Sequence, residues 1–167
     1  MKNQVKIRIG ALKRNRPDAV AMLQGSAQYP ELIGVAVFYQ LPSGVLVRIE
    51  VRGLPKDAHC DSPIFACHIH AGSACSGKQE DPFAATDGHY NPRNCPHPYH
   101  AGDMPPLFGV DGAAYSVFLT GRFTVAEILG KTVVIHAALD DFTTQPAGNA
   151  GTKIACGVIR GKEMPRE

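Results

Sequence analysis

Val45-Leu-Val-Arg-Ile-Glu-Val-Arg52 is the stretch that decides the fold class. Val45, Val47, Ile49 and Val51 alternate with Leu46, Arg48, Glu50 and Arg52. A period of two sends alternate side chains to opposite faces, so the stretch reads as a half-buried β-strand. Working upstream, Leu41–Gly44 is a turn, Ile33–Gln40 a second strand-like run, and Tyr29-Pro30 a turn into a third, Ala19–Ser26. Downstream, Ile64–His70, Ala114–Thr120, Lys131–Ala137 and Ile154–Gly161 carry further strand signals. Phe123–Gly130 can hold one helical turn, with Thr124 as its cap, Glu127 three residues on and Gly130 as its stop. Two polar loops separate the later strands, one from Ala71 to Asp111 and one over Leu139–Lys153. Short strands, little helix and two long loops point to an all-β antiparallel sandwich or barrel, and a loop as long as the first inside a compact domain is usually functional or disordered.

The 167 residues suffice for one domain. Hydrophobic residues at 44% and charged residues at 19% are ordinary for a globular chain and exclude disorder as the main state. No apolar run approaches the length of a membrane span, so no membrane partner is expected. The net charge of +2 is unevenly spread. Lys2, Lys6, Arg8, Lys13, Arg14 and Arg16 crowd the start, and from Pro17 onward acidic residues outnumber basic ones by fifteen to eleven. Residues 1–18 therefore read as a basic extension ahead of a domain over 19–167. The extension lacks interleaved aromatics and a glycine-rich phosphate loop, so it reads as solvated chain, and no nucleic-acid partner is expected. Lys6 and Arg8 interrupt any signal-peptide core in Met1–Gly10, which predicts a cytoplasmic location. Five cysteines are present, an odd number, with no C-x-x-C pair to build a zinc finger.

Six of the seven histidines lie between positions 68 and 136. His68 and His70 are two apart on a predicted strand, so both imidazoles can face one ion. His89, His97, His100 and Asp103 follow the pattern H-x7-H-x2-H-x2-D. Three imidazoles and a carboxylate make a closed tetrahedral zinc set, and a bound metal can replace the core that such a polar loop lacks. His136 ends an apolar strand and joins His68 and His70 only if the sheet places it beside them. An all-imidazole set suits copper, whereas a set containing a carboxylate suits zinc.

From about Val20 to Gly161 the chain resembles the Cu/Zn superoxide dismutase family. The resemblance rests on Phe65-Ala-Cys-His-Ile-His70, Gly88-His-Tyr-Asn-Pro92, His100-Ala-Gly-Asp103, Gly130-Lys-Thr-Val-Val-Ile-His136 and Gly148-Asn-Ala-Gly-Thr-Lys-Ile-Ala-Cys-Gly-Val-Ile159, in that order. It implies an eight-stranded Greek-key sandwich or barrel with two functional loops. It implies copper on His68, His70, His89 and His136, zinc on His89, His97, His100 and Asp103, and His89 shared between them. It further implies that Asp140 hydrogen-bonds ligands of both metals, and that Cys75 and Cys156 form the intrachain disulfide. Cys67, one residue before His68, should face the core as a small hydrophobe.

The implied activity converts two superoxide anions to O2 and H2O2 by a Cu(II)/Cu(I) couple, with His89 carrying a proton. Lys153 takes the place of the family's active-site arginine; it keeps the positive charge but lacks the planar fork. Lys153 is therefore expected to guide the small anionic substrate. The loop from His136 to Lys153 is shorter than in the family's common eukaryotic form, the His97–His100 spacing is contracted against the usual pattern, and the loop from His70 to Cys75 is short too. The last of these lacks the stretch that builds the eukaryotic dimer interface, so any homodimer is expected to use another face. The alternative function is a superoxide-dismutase-like protein that binds or delivers copper and zinc with little turnover.

Overall fold

A computed structural model describes residues 16–56 and 63–161. Most of the basic extension and Cys60 lie outside these residues. Nine strands and one short helix follow one another as β1 (Ala19–Gly25), β2 (Ile33–Leu41), β3 (Gly44–Arg52), β4 (Ile64–Phe65), β5 (Cys67–His70), β6 (Leu107–Phe108), β7 (Ala113–Thr120), α1 (Val125–Ile128), β8 (Thr132–His136) and β9 (Lys153–Gly161). Seven strands form one antiparallel sheet in the order β5-β8-β9-β1-β2-β3-β7. Consecutive hairpins join β1, β2 and β3, while the chain between β3 and β5 and between β7 and β8 passes from one edge of the sheet to the other. These are Greek-key crossings, and α1 lies within the second of them. The remaining two strands, β4 and β6, pair with each other. Because β4 runs into β5 and β6 leads to β7, this small pair ties the two edges of the curled sheet.

The expected strand Ile64–His70 is therefore two strands with different partners. Phe65 pairs with Leu107, whereas Cys67 pairs with Ile135 across to β8. Ala66 is the joint between them. It donates to the Ala138 carbonyl, and its own carbonyl accepts from the His136 amide. An unbroken apolar run carries no signal for such a change of partner. The second polar loop also ends one residue earlier than its expected bound, since Lys153 already opens β9.

The alternation in β3 behaves as the pattern requires. Val45, Val47, Ile49 and Val51 are buried in the main core, against Phe38, Ile69, Ile135 and Ile154. Glu50 and Arg52 are exposed. Leu46 departs from the polar face. It packs outside the barrel with Val37 and Tyr39 in a small apolar cluster of its own. The helical turn forms as a capping box: the Thr124 hydroxyl accepts from the Glu127 amide, and the Glu127 carboxylate accepts from the Thr124 amide. Both partners satisfy backbone donors that a helix start leaves unpaired. Among the described residues no helix is long and apolar enough to cross a membrane.

Candidate metal centre

β5 carries the first two site residues. All four of its residues are buried, but on different faces. Cys67 and Ile69 point into the barrel core, and burial pushes the Cys67 thiol up to about 12. His68 and His70 point the other way, under the long loop. That loop adds itself to the free edge of β5: the Ile69 amide donates to the Gly102 carbonyl at 2.9 Å, and the Ile69 carbonyl accepts from Tyr90 at 2.8 Å. These bonds set Asp103 opposite His68 and His89 opposite His70. Only glycine tolerates position 102, where a Cβ would lie 2.2 Å from the Ile69 carbonyl oxygen. β8 supplies His136 on the same face.

The result is two groups of side chains with one member in common. His68, His70, His89 and His136 present ligand atoms that all lie within 4.8 Å of one another, and so do His89, His97, His100 and Asp103. The structure thus brings together both residue sets expected from the sequence. The shared residue has its two ring nitrogens in different surroundings. His89 Nδ1 lies 2.8 Å from Asp103 Oδ1 and 3.4 Å from His100 Nδ1, while its Nε2 is buried with no hydrogen-bond partner.

The remaining nitrogens are fixed from behind. His68 Nε2 and His97 Nε2 each lie 2.8 Å from a different oxygen of Asp140. This leaves His68 Nδ1 and His97 Nδ1 buried without a hydrogen bond, one in each group, the latter 3.2 Å from Asp103 Oδ2. His70 Nδ1 donates to the Asp87 carbonyl at 2.7 Å, and His136 Nδ1 lies 3.3 Å from the Gly151 carbonyl. His70 Nε2 and His136 Nε2 then meet at 3.2 Å. Tautomers held from behind, with bare nitrogens converging in front, are what metal ligation requires.

Electrostatics favour the same state. Burial pushes His70 down to about 2 and His136 down to about 3, and it lowers His68 and His100 as well. Both strongly shifted rings are neutral at ordinary pH and free to ligate. Asp140 is 1% exposed, and burial alone would raise its carboxyl. Its hydrogen bonds from His68, the Phe142 amide and His97 win, and hold it well below the usual carboxylate range. Asp103 is lowered against its burial in the same way, first by the His89 ring.

Donor spacing tests the fit to a metal. In the second group Asp103 oxygens lie 2.8 Å from His89 Nδ1, 3.2 Å from His97 Nδ1 and 3.3 Å from His100 Nδ1. A tetrahedron with Zn–N bonds of about 2.0–2.1 Å has edges of roughly 3.3 Å. The cluster is therefore preformed at zinc size. The three imidazole nitrogens of the site that are buried without a hydrogen bond, on His68, His89 and His97, fit the same reading.

Other contacts hold the loops and carry no sequence signal. Gln145 clamps His97 through both backbone groups, accepting from its amide at 3.0 Å and donating to its carbonyl at 2.8 Å. Arg122 Nη1 donates to the carbonyls of Pro98, His100 and Asp103. The Cys75–Cys156 disulfide joins the first loop to β9. Among the described residues Cys67 and Cys95 are the free cysteines. Lys153 opens β9 opposite His136, but its ammonium is engaged: Nζ donates to Asp81 Oδ2 at 2.8 Å and to the Phe83 carbonyl at 3.2 Å.

A curled antiparallel barrel whose loops place two ligand sets around one shared imidazole defines a two-metal protein. The family profile for "Copper/zinc superoxide dismutase (SODC)" matches residues 32–159, and the chain belongs to that family. It is 35% identical over 145 residues to "Superoxide dismutase [Cu-Zn] 2" of Aquifex aeolicus, covering 78% of this chain and 80% of the relative. It is 35% identical over 151 residues to "Superoxide dismutase [Cu-Zn]" of Deinococcus radiodurans, with 80% of each chain covered. The solved structure of the Cu/Zn superoxide dismutase from Brucella abortus shares the fold, with a TM-score of 0.71 at 24% identity, covering 84% of this chain and 98% of that one.

Proposed function

We propose that the protein is a superoxide dismutase in which His68, His70, His89 and His136 hold copper and His89, His97, His100 and Asp103 hold zinc. Copper, when bound, supplies a one-electron couple that zinc lacks, so that two superoxide anions and two protons become O2 and H2O2. The chain's own residues do the rest. Asp140 fixes the rings of His68 and His97 with one carboxylate, so neither set can shift without the other. His89 keeps Nδ1 with the Asp103 side and leaves Nε2 as the atom at which a proton can be held and released near the substrate. Lys153, in contact with the first loop, offers a hydrogen bond to an entering anion.

The observation that carries this reading is the shared His89 with opposite environments at its two nitrogens. A protein that only stored or delivered the metals has no use for an imidazole between them, nor for one carboxylate across both sets. The loop from His70 to Cys75 is too short to build the eukaryotic dimer face, so self-association, read by sedimentation, uses another face. Neither nucleic acid nor membrane takes part in this reading.

Loading with both metals, elemental analysis and pulse radiolysis test the proposal together. The expected result is one copper and one zinc per chain and rapid loss of superoxide. His89→Gln should retain most of the fold and lose most turnover. Two zinc ions that resist replacement by copper, or loaded protein without turnover, would leave the binding-protein alternative in its place.

A further inference from the structure

The Lys153–Asp81 contact changes what the active-site cation can do. Lys153 Nζ lies 2.8 Å from Asp81 Oδ2, and the side chains are 17% and 45% exposed. Asp81 is anchored in turn, since its Oδ1 accepts from the Phe83 amide at 3.1 Å. Burial is the largest single influence on its carboxyl and raises it, but the hydrogen bonds from Lys153 and the Phe83 amide, with the charges of Lys153 and His136, together lower it. The ammonium sits near His136, whose low value its charge helps to set, after burial, His68 and His89. An anion approaching the His136 side therefore meets a cation and an anion held together.

We propose that Asp81 is an internal counter-ion that masks Lys153, so that this protein attracts superoxide only weakly at long range. The inference rests on the dismutase reading above. A pair at hydrogen-bond distance is a dipole, and its field falls away faster than that of a lone charge. The short-range role of Lys153 survives. Two of its three N–H groups are taken by Asp81 and Phe83, leaving one for an anion that has already arrived. Phe83 also accepts from the Thr86 hydroxyl at 2.7 Å, and Thr86 lies beside His70 Nδ1. The carbonyl partner of Lys153 is thus part of the wall behind His70, which keeps the ammonium in place when the carboxylate is removed. Asp81 acts through Lys153 and is a positioning and charge-setting residue, not a catalytic one.

Asp81→Asn keeps size and one acceptor but unmasks the cation. In the copper- and zinc-loaded protein the second-order rate with superoxide should rise roughly threefold at low ionic strength, between the effect of a unit charge in contact and that of one a screening length away in water. The gain should disappear near 1 M salt, where the screening length is only ~3 Å. Asp81→Glu should behave as the parent. The second readout is azide titration of the copper absorption band, which measures anion affinity without turnover. Azide should bind Asp81→Asn about threefold tighter at low salt by the same reasoning. Equal or slower superoxide reaction and equal or weaker azide affinity in Asp81→Asn would overturn the masking role. A parent protein that binds copper and azide but leaves superoxide untouched would instead overturn the dismutase reading, while the azide ratio still decides about Asp81.

Discussion

Gly148 shows how much one residue can decide. It sits at φ +68°, and a Cβ there would lie 2.0 Å from Asp140 Oδ1 and 2.7 Å from His97 Nε2. No rotamer relieves that clash, because Cβ precedes every χ angle. Gly148→Ala must push Asp140 off the two imidazoles or unfold the local turn, in which the Gly148 amide donates to Thr144 at 2.7 Å. Loss of a carboxylate behind a ligating histidine weakens metal binding by roughly 10–100-fold. Zinc competition with a chelator should show a loss of that size. Unchanged zinc affinity in a folded Gly148→Ala protein would mean that Asp140 does not orient His97. Asp140→Asn, which can satisfy only one of its ring N–H donors as an acceptor in the same geometry, should weaken zinc in the same direction.

At the scale of elements, the barrel is held by its apolar core, and the loops are held by discrete ties. Asp141 accepts from the amides of Thr143 and Thr144, shaping the turn that follows Asp140. Arg122, just after β7, reaches three carbonyls of the zinc-set loop from the opposite edge of the sheet. The disulfide spans 81 residues of chain and fastens the 75–87 segment, which carries both Asp81 and the carbonyl behind His70, to the last strand. Closing a loop of that length is worth up to about 4.5 kcal/mol through the unfolded chain. Cys75→Ser should therefore lower the melting temperature of metal-free protein by several degrees, and by less once copper and zinc are bound. Thermal melts of the two proteins with and without metals check this, and equal melting temperatures in the metal-free state would contradict it.

The whole molecule couples folding to protonation at its centre. His70 and His136 are held at about 2 and about 3 when folded, against an ordinary value near 6.5 in the unfolded chain. Below about 6.5 the unfolded state takes up protons that the folded state refuses, so it is favoured as pH falls. Stability from this source is present in full above that value and is lost progressively toward about 3. Each such group contributes up to about 1.4 kcal/mol per pH unit within its window. Metal-free protein should thus show a melting temperature nearly flat from pH 8 to 7 and falling steadily below about 6.5. Protons and metal compete for the same nitrogens, so bound copper and zinc should move the decline to lower pH. A metal-free melting curve independent of pH between 7 and 5 would show that the two rings protonate without cost in the folded state.

Much of this was readable in the chain alone, because it depends on residue type and short spacing. The period of two in Val45–Arg52, the i and i+2 pair His68 and His70, and the Thr124–Glu127 cap are local, and each appears where its pattern places it. The set His89, His97, His100 and Asp103 was readable from its spacing, whereas the sharing of His89 and the cysteine pair were readable only through family resemblance, which carries order along the chain rather than distance. Tertiary structure decided what no local pattern encodes. Ile64–His70 divides between two sheets because Ala66 bonds to residues about 70 positions away, and its apolar neighbours suit either partner. Lys153 meets Asp81 across 72 residues, Gln145 meets His97 across 48, and Arg122 meets Pro98 across 24. A charge or an amide in a polar loop looks alike in sequence whether solvated or paired. Only the closing of the barrel, which brings both loops over β5 and β8, determines which of them finds a partner and so whether Lys153 stands as a free cation or as half of a pair.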